Sequence, residues 1–292
     1  MADDAGLIDM GGRYATRFAP SPTGPLHLGH AFSALTAWDR ARAHDGRFIL
    51  RIEDIDPARS RPEWRQGLIE DLHWLGIDWD EDPIDQSARL PIYRQALARL
   101  AAMGVIYPCR CSRGDIRAAL SAPQEGAPLH GPDGLIYPGS CRGRDMGDAS
   151  PDDALRLDMA RAMAIAGDLS FDETGPVHPG RHVFDPAFMT AHVGDVVLAR
   201  RDFGTSYHLS VVIDDAAQAI TEVVRGADLF EATPIHLLLQ RLLGLPSPAY
   251  HHHDLIRDPA GKRLAKRDDA RALAKFRAEG CSPADIRAMI GL

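Results

Sequence analysis

His27-Leu28-Gly29-His30 sets two imidazoles around a glycine, directly after the turn-rich stretch Phe18-Ala19-Pro20-Ser21-Pro22-Thr23-Gly24-Pro25-Leu26. Imidazoles so spaced can both donate to phosphate oxygens, where negative charge builds up during a reaction. Gly29 has no Cβ, so a flat ligand can approach the backbone there. A helix beginning at these residues adds unpaired N–H groups and the positive end of its dipole, which also suit a phosphate.

The cysteines form a second constellation. Cys109-Arg110-Cys111 precedes a stretch rich in Gly, Pro and Ala, Tyr137-Pro138-Gly139-Ser140-Cys141 follows it, and Cys281 stands apart. Three thiols around one loop, in a chain expected to be cytoplasmic, suggest a structural metal more than a disulfide. Zinc prefers thiolates and closes its structural sites with four ligands. His130, inside the stretch, is a conventional fourth donor, whereas tyrosine is a rare one. Gly261-Lys262-Arg263-Leu264-Ala265-Lys266-Arg267 forms a basic run. Asp214-Asp215 reads as a pair bonding the neighbouring backbone rather than a cation site. His251-His252-His253 is not read as a metal site, because consecutive residues of a strand or turn point in different directions.

These groups must be positioned by an α/β framework. Phe32, Leu35 and Trp38 recur at helical spacing after Gly29, and Gly46 ends that segment. Phe48, Leu50 and Ile52 alternate like a strand that delivers Glu53 at its end. Helices are expected at about 62–75, 91–103 and 233–243, with strands at 193–199 and 210–213. The stretch 112–140 reads as an irregular insertion. At the C-terminus, 270–279 reads as a helix, and Ser282-Pro283-Ala284-Asp285 starts another with an N-cap and a first-turn proline. Alternating strands and helices imply a mostly parallel sheet, with ligands beyond the strand C-termini. The expected division is a flexible tail 1–12, a first catalytic half 13–108, an insertion 109–190 with the thiol site, a second half 191–256, and a basic loop with C-terminal helices over 257–292.

The chain has 292 residues, 45% hydrophobic and 25% charged, which fits an ordinary soluble enzyme. No apolar run reaches membrane-spanning length, and residues 1–12 lack the basic and apolar regions of a signal peptide. A cytoplasmic monomer with no membrane partner is expected. The formal net charge of −8 argues against a nucleic-acid partner, but the distribution softens it. From Arg257 onward nine Lys/Arg face five Asp/Glu, a local +4. Phosphate affinity follows such local basic surface. Arg271, Lys275 and Arg277 are therefore expected to form an RNA-facing strip.

Taken together, the motifs resemble those of class I aminoacyl-tRNA synthetases, in the glutamyl branch. Arg17-Phe18-Ala19-Pro20-Ser21-Pro22-Thr23-Gly24 and His27–His30 resemble the branch's first signature. Arg51-Ile52-Glu53-Asp54-Ile55-Asp56 with Arg59, Leu75-Gly76-Ile77-Asp78-Trp79-Asp80, the run Tyr207 to Asp215, and Val224-Arg225-Gly226-Ala227-Asp228 follow in the expected order. Gly261–Arg267 resembles the second class I signature, with Arg263 in place of a lysine and Ala265 in place of a serine. Only 25 residues follow Arg267, so the chain is similar to the truncated paralogues of the branch rather than to the longer synthetases, which carry an anticodon-binding domain.

The resemblance implies a Rossmann-like catalytic domain with a small zinc-bearing insertion, a short helical C-terminal segment and no anticodon-binding domain. It implies tRNA-independent activation of L-glutamate by ATP, with Mg²⁺, and transfer of the glutamyl group to queuosine in the anticodon of tRNA(Asp). Two alternatives stay open: a glutamyl-tRNA synthetase fragment acting on the 3′ end of tRNA(Glu), and a catalytically inactive tRNA-binding relative. The resemblance assigns His27, Gly29, His30, Arg263 and Lys266 to ATP, with His27, His30 and Lys266 catalytic. Arg17, Phe18, Ala19, Pro20, Ser21, Glu53, Tyr207 and Arg225 are assigned to glutamate: two arginines for two carboxylates, Glu53 for the ammonium, and Arg225 for the side-chain carboxylate. One of His251–His253, just before the second signature, is expected at the nucleotide. The resemblance also supplies Tyr137 as the fourth partner of Cys109, Cys111 and Cys141 around Zn²⁺, leaving His130 as the competing donor.

Overall fold

The computed structural model describes residues 13–120, 129–202, 204–256 and 271–292. The first half runs β1 (Ala15–Phe18), α1 (Leu28–Ala43), β2 (Arg47–Ile52), α2 (Pro62–Trp74), β3 (Ile84–Asp85), α3 (Leu90–Ala102) and β4 (Ile106–Cys109). Next come α4 (Arg113–Leu120), the hairpin β5 (His130–Gly131) and β6 (Gly134–Leu135), β7 (Ala154–Leu157), α5 (Met159–Ala166), β8 (Leu169–Glu173), β9 (Gly180–Phe184) and the short α6 (Pro186–Phe188). The chain continues through β10 (Val197–Ala199), α7 (Tyr207–Ala217), β11 (Glu222–Gly226), α8 (Thr233–Leu243), β12 (Ala249–His253), α9 (Leu273–Ala278) and α10 (Pro283–Ile290).

β1, β2 and β3 form a parallel sheet. β11, β12 and β8 form another, with β9 antiparallel at its edge. β1 lies beside β11: the Thr221 N–H donates to the Ala15 carbonyl at 3.0 Å, and the Ala15 N–H to the Thr221 hydroxyl at 2.9 Å. The inner strands are buried because helices cover them, and they carry apolar residues together with a few buried charges such as Arg17 on β1 and Arg51 on β2. All four residues of β1 are buried, and so are the last five of β2.

Two apolar clusters hold the layers. One gathers Ala15, Ile49, Leu157, Val223 and Leu238 with the buried faces of α3, α5, α7 and α8. The other packs α1 and α2 against β2 and takes in Leu273, Phe276, Ile286 and Ile290 from the two C-terminal helices. α10 is also tied to α1 by Arg287, whose two Nη atoms each lie 2.8 Å from an Asp39 oxygen.

Several expectations need correction. Residues 210–213 lie inside α7, not in a strand. Their run Ser-Val-Val-Ile is β-branched, but Ser206 caps a helix that is buried on nearly every side, so no polar stripe marks its period. The 112–140 stretch is not wholly irregular: it carries α4 and the β5–β6 hairpin, while 121–128 lie outside the described residues. The parallel order fails around the thiols, where β10, β7 and β4 form an antiparallel sheet. β8 pairs with β12 on one side and β9 on the other, and β10 pairs with β7. The tail 1–12 lies outside the described residues. Among the described residues no helix is long and apolar enough to cross a membrane.

Candidate active site

His27 is the N-cap of α1. Its Nδ1 accepts the Gly29 N–H at 3.1 Å, and the His27 N–H donates to His30 Nδ1 at 3.2 Å. A neutral imidazole that accepts through Nδ1 carries its proton on Nε2 as a donor. The rings lie together, centroids 3.8 Å apart, at the positive end of the helix.

A cavity of about 450 Å³ opens over this helix start. Arg17, Phe18, Ala19, Pro20, Ser21, His27, Gly29, His30, Glu53, Tyr207 and Arg225 all line it. Every glutamate-binding expectation and the first three ATP-binding ones therefore fall on one cavity. The elements explain this: β1 delivers Arg17 and Phe18, β2 delivers Glu53, α7 begins at Tyr207, and β11 delivers Arg225. Arg263 and Lys266, with Ala265, lie outside the described residues. Their flanks reach the cavity from both sides: Asp254, Leu255 and Ile256 line it, and Ala272 bridges His27.

Behind the lining residues Arg17 and Glu53 lies a buried charge cluster with Arg51 and Asp215. Asp215 Oδ1 receives Arg17 Nε at 2.9 Å and Arg51 Nη1 at 2.8 Å. Arg51 Nη2 lies 3.5 Å from Glu53 Oε1. Burial pushes the Glu53 carboxyl up to about 7, against the pull of Arg51 and Arg17. Such a group gains when a ligand ammonium arrives. Asp215 stays below the usual carboxylate range: burial raises it, but Arg17 and Arg51 outweigh burial.

Arg225 is bound differently. Its five N–H groups meet His252 Nε2 at 2.9 Å, His236 Nδ1 at 3.0 Å, the Tyr207 hydroxyl at 3.5 Å, the Leu229 carbonyl at 3.2 Å and the Thr233 hydroxyl at 2.8 Å. All five acceptors are neutral, and among the described residues no carboxylate pairs with this buried guanidinium. A buried cation without an anion favours an anionic ligand strongly.

The thiols also come together. The sulfurs of Cys109, Cys111 and Cys141 all lie within 4.8 Å of one another. Cys111 and Cys141 are 3.5 Å apart, and the Tyr137 hydroxyl is 3.4 Å from Cys109 Sγ and 3.3 Å from Cys111 Sγ. Sulfurs on a tetrahedral zinc stand about 3.8 Å apart, so the donor set fits that ion. Burial raises the Cys141 thiol, but hydrogen bonds led by Tyr137 bring it down to about 7, while burial lifts Cys111 to about 11. His130 is exposed on β5 and does not belong to the gathered donors.

A second cleft of about 820 Å³ lies between α4, the β5–β6 hairpin, the turn after β10 and the start of α7. Arg113, Arg117, Arg156, Arg200 and Arg201 line it, and Tyr207 and Leu229 line both cavities.

Some readings of the sequence are revised. Asp214 and Asp215 bond side chains rather than backbone: Asp214 accepts from Gln86, Arg89 and Tyr93, and Asp215 from the two arginines. The three consecutive histidines do diverge along β12. His251 meets Thr174, His252 meets Glu173 and Arg225, and His253 meets Ser33 and lines the cavity. The basic strip is partly spent inside the fold, since Arg271 pairs with Glu279, and Arg277 lies near Asp71 and over the Trp74 ring. Sequence reasoning missed Asp215 as the buried anion beside Arg17 and His236, His252 and Thr233 around Arg225. Only the period of β12 and α8 relative to β11 carried a signal for them. Arg59, quoted with the Glu53 motif, also lines the cavity.

Comparison with known proteins agrees with this architecture. The family described as tRNA synthetases class I (E and Q), catalytic domain, matches residues 13–129 and 181–292. A glutamyl-Q tRNA(Asp) synthetase of Rhodobacter capsulatus is 66% identical over 95% of this chain and 99% of its own. One from Symbiobacterium thermophilum is 45% identical over 92% of this chain and 83% of its own. A glutamate tRNA ligase of Elizabethkingia meningosepticum, solved in complex with its amino acid, superposes with a TM-score of 0.76 at 27% identity. That match covers 96% of this chain, which spans 60% of the ligase's length. With its α/β framework, its cavity at the start of α1 and these relatives, the chain belongs to the class I aminoacyl-tRNA synthetase family, in the glutamyl-Q tRNA(Asp) synthetase group of ligases.

Proposed function

We propose that this chain activates L-glutamate with ATP, without tRNA, and transfers the glutamyl group to queuosine in the anticodon of tRNA(Asp). The observation that carries the reading is the one cavity lined by Arg17, Glu53, Tyr207, Arg225, His27 and His30. Its chemistry matches glutamate and a nucleotide side by side. Arg225 takes the side-chain carboxylate, Arg17 faces the α-carboxylate, and the Glu53 carboxylate takes the ammonium. The ATP triphosphate lies over Gly29 and the start of α1.

In the first step an oxygen of the α-carboxylate attacks the α-phosphorus, and pyrophosphate leaves. No protein nucleophile is needed; positioning and charge neutralisation supply the rate. The Nε2–H groups of His27 and His30 donate to the phosphate oxygens, and Lys266 follows the charge onto the leaving group. Mg²⁺ accompanies the triphosphate. In the second step a hydroxyl of queuosine attacks the glutamyl carbonyl carbon, and AMP leaves. The arginine-lined second cleft, sharing Tyr207 and Leu229 with the first, supports an approach of the anticodon from that side. Zn²⁺ held by Cys109, Cys111, Tyr137 and Cys141 would be structural, pinning α4 and the strands around it.

Glutamate-dependent exchange of pyrophosphate into ATP, measured without any tRNA, tests the first step. The reading requires robust exchange with glutamate and little with glutamine. Exchange that appears only when tRNA is added contradicts it.

A further inference from the structure

Arg225 is held by two imidazoles, and each of these ends on a carboxylate. On one side Nε donates to His252 Nε2 at 2.9 Å, and His252 Nδ1 meets Glu173, both residues being wholly buried. On the other side Nη1 meets His236 Nδ1 at 3.0 Å, and His236 Nε2 meets His208 Nδ1 at 3.1 Å. His208 Nε2 then lies 3.4 Å from an oxygen of Asp133, in the turn of the β5–β6 hairpin.

Arginine has donors and no acceptor, so both ring nitrogens facing it present lone pairs. That settles the tautomers. His252 carries its proton on Nδ1, towards Glu173. His236 carries its proton on Nε2, towards His208, which leaves the His208 proton facing Asp133. Burial, with the nearby guanidinium, holds His236 well below the usual imidazole range, and burial also lowers His252. Both rings therefore stay neutral, as acceptance from a guanidinium demands.

The lengths of the five Arg225 bonds divide by direction. The three short ones, 2.8–3.0 Å, go to His252, His236 and Thr233, none of which lines the cavity. The two longest, 3.5 Å to Tyr207 and 3.2 Å to Leu229, go to residues that do line it. Those two start from Nη1 and Nη2 respectively. A carboxylate replacing both would sit in the parallel two-bond geometry that guanidinium favours. The short bonds would remain as a tripod behind it.

We propose that His236 and His252 are positioning residues that aim the Nη edge of Arg225 into the cavity, and that the His236–His208–Asp133 path ties this aim to the β5–β6 hairpin. The inference rests on Arg225 as the receptor for the glutamate side chain. It assigns specificity for an acid over its amide partly to residues that never touch the substrate.

The test is pyrophosphate exchange by the full chain carrying His236→Leu, His236→Gln or Asp133→Asn. Loss of a bond to a charged donor predicts a rise in KM for glutamate of about ten- to a hundredfold in His236→Leu. KM for ATP should stay within about twofold, because the nucleotide half is untouched. His236→Gln restores an acceptor oxygen and should recover most of the loss. Asp133→Asn, at a partly exposed site, should raise KM for glutamate by about two- to fivefold and keeps the test open if the leucine variant fails to fold. Glutamate KM unchanged in all three variants, or a rise in ATP KM and a fall in kcat that match the rise in glutamate KM, overturns the proposal. Arg225→Leu is measured alongside. If it leaves exchange intact, the reading of the site itself is wrong; if it abolishes exchange while the His236 and Asp133 variants are silent, only this inference fails.

Discussion

Glu53 shows how one side chain can be tuned by opposing forces. Burial favours its neutral form, Arg51 and Arg17 favour the charged form, and the balance leaves it titrating at about 7. Only the carboxylate can pair with an ammonium. Glutamate itself keeps its ordinary carboxylates ionised at that pH, so the protein group controls the profile. KM for glutamate should be flat between about pH 8 and 8.5, below the range where the ligand ammonium deprotonates, and rise about tenfold for each unit below 7. A profile flat from pH 5.5 to 8.5 would show that Glu53 does not bind the ammonium. At Arg225 the expected effect is larger: Arg225→Leu should cut kcat/KM for glutamate by about a thousandfold or more, because the site then buries a carboxylate against nothing. Circular dichroism should show the fold retained, since the residue's partners are neutral. The cavity-lining residues were legible in the sequence because each sits next to a signature. Asp215 was not, because its partners Arg17 and Arg51 lie 198 and 164 residues away in the chain.

The elements that carry these residues were readable where they are amphipathic or carry end signals. α1, α2, α3 and α8 fall within a residue or two of expectation. α7 was misread because a helix buried all round loses its period, and β-branched residues then argue for a strand. The antiparallel sheet of β4, β7 and β10 was missed because pairing partners in sheets are set by tertiary contacts that local sequence does not specify. The thiol cluster makes a prediction about these strands. Protein purified without chelator should carry about one zinc per chain, and Cys141→Ser should lose it and lower Tm while exchange activity survives in the folded fraction. Stoichiometric metal retained by the variant would remove Cys141 from the ligand set. α9 makes another. Arg277 lies 3.6 Å from Asp71, whose carboxyl burial pushes up to about 6 despite that guanidinium. Arg277→Ala should therefore destabilise the docking of α9 on α2, read as a fall in Tm that is larger at pH 8 than at pH 5. The sign follows because Asp71 is charged, and so unpaired, only above its own titration point.

The whole molecule joins the small cavity proposed for glutamate and ATP to a larger cleft beside the thiol cluster. The two share Tyr207 and Leu229, so whatever occupies the larger cleft lies against the ligand of the smaller one. A net charge of −8 does not by itself oppose an RNA partner, because the larger cleft is lined by five arginines against three aspartates, Asp133, Asp195 and Asp202. The most direct measurement is the fate of labelled glutamate offered, with ATP, to queuosine-containing tRNA(Asp), to tRNA(Asp) lacking queuosine and to tRNA(Glu). The account predicts label on the first alone. It predicts that periodate treatment of that tRNA, which destroys the queuosine diol, abolishes the signal. Label on tRNA(Glu), or on tRNA(Asp) regardless of queuosine, would contradict it.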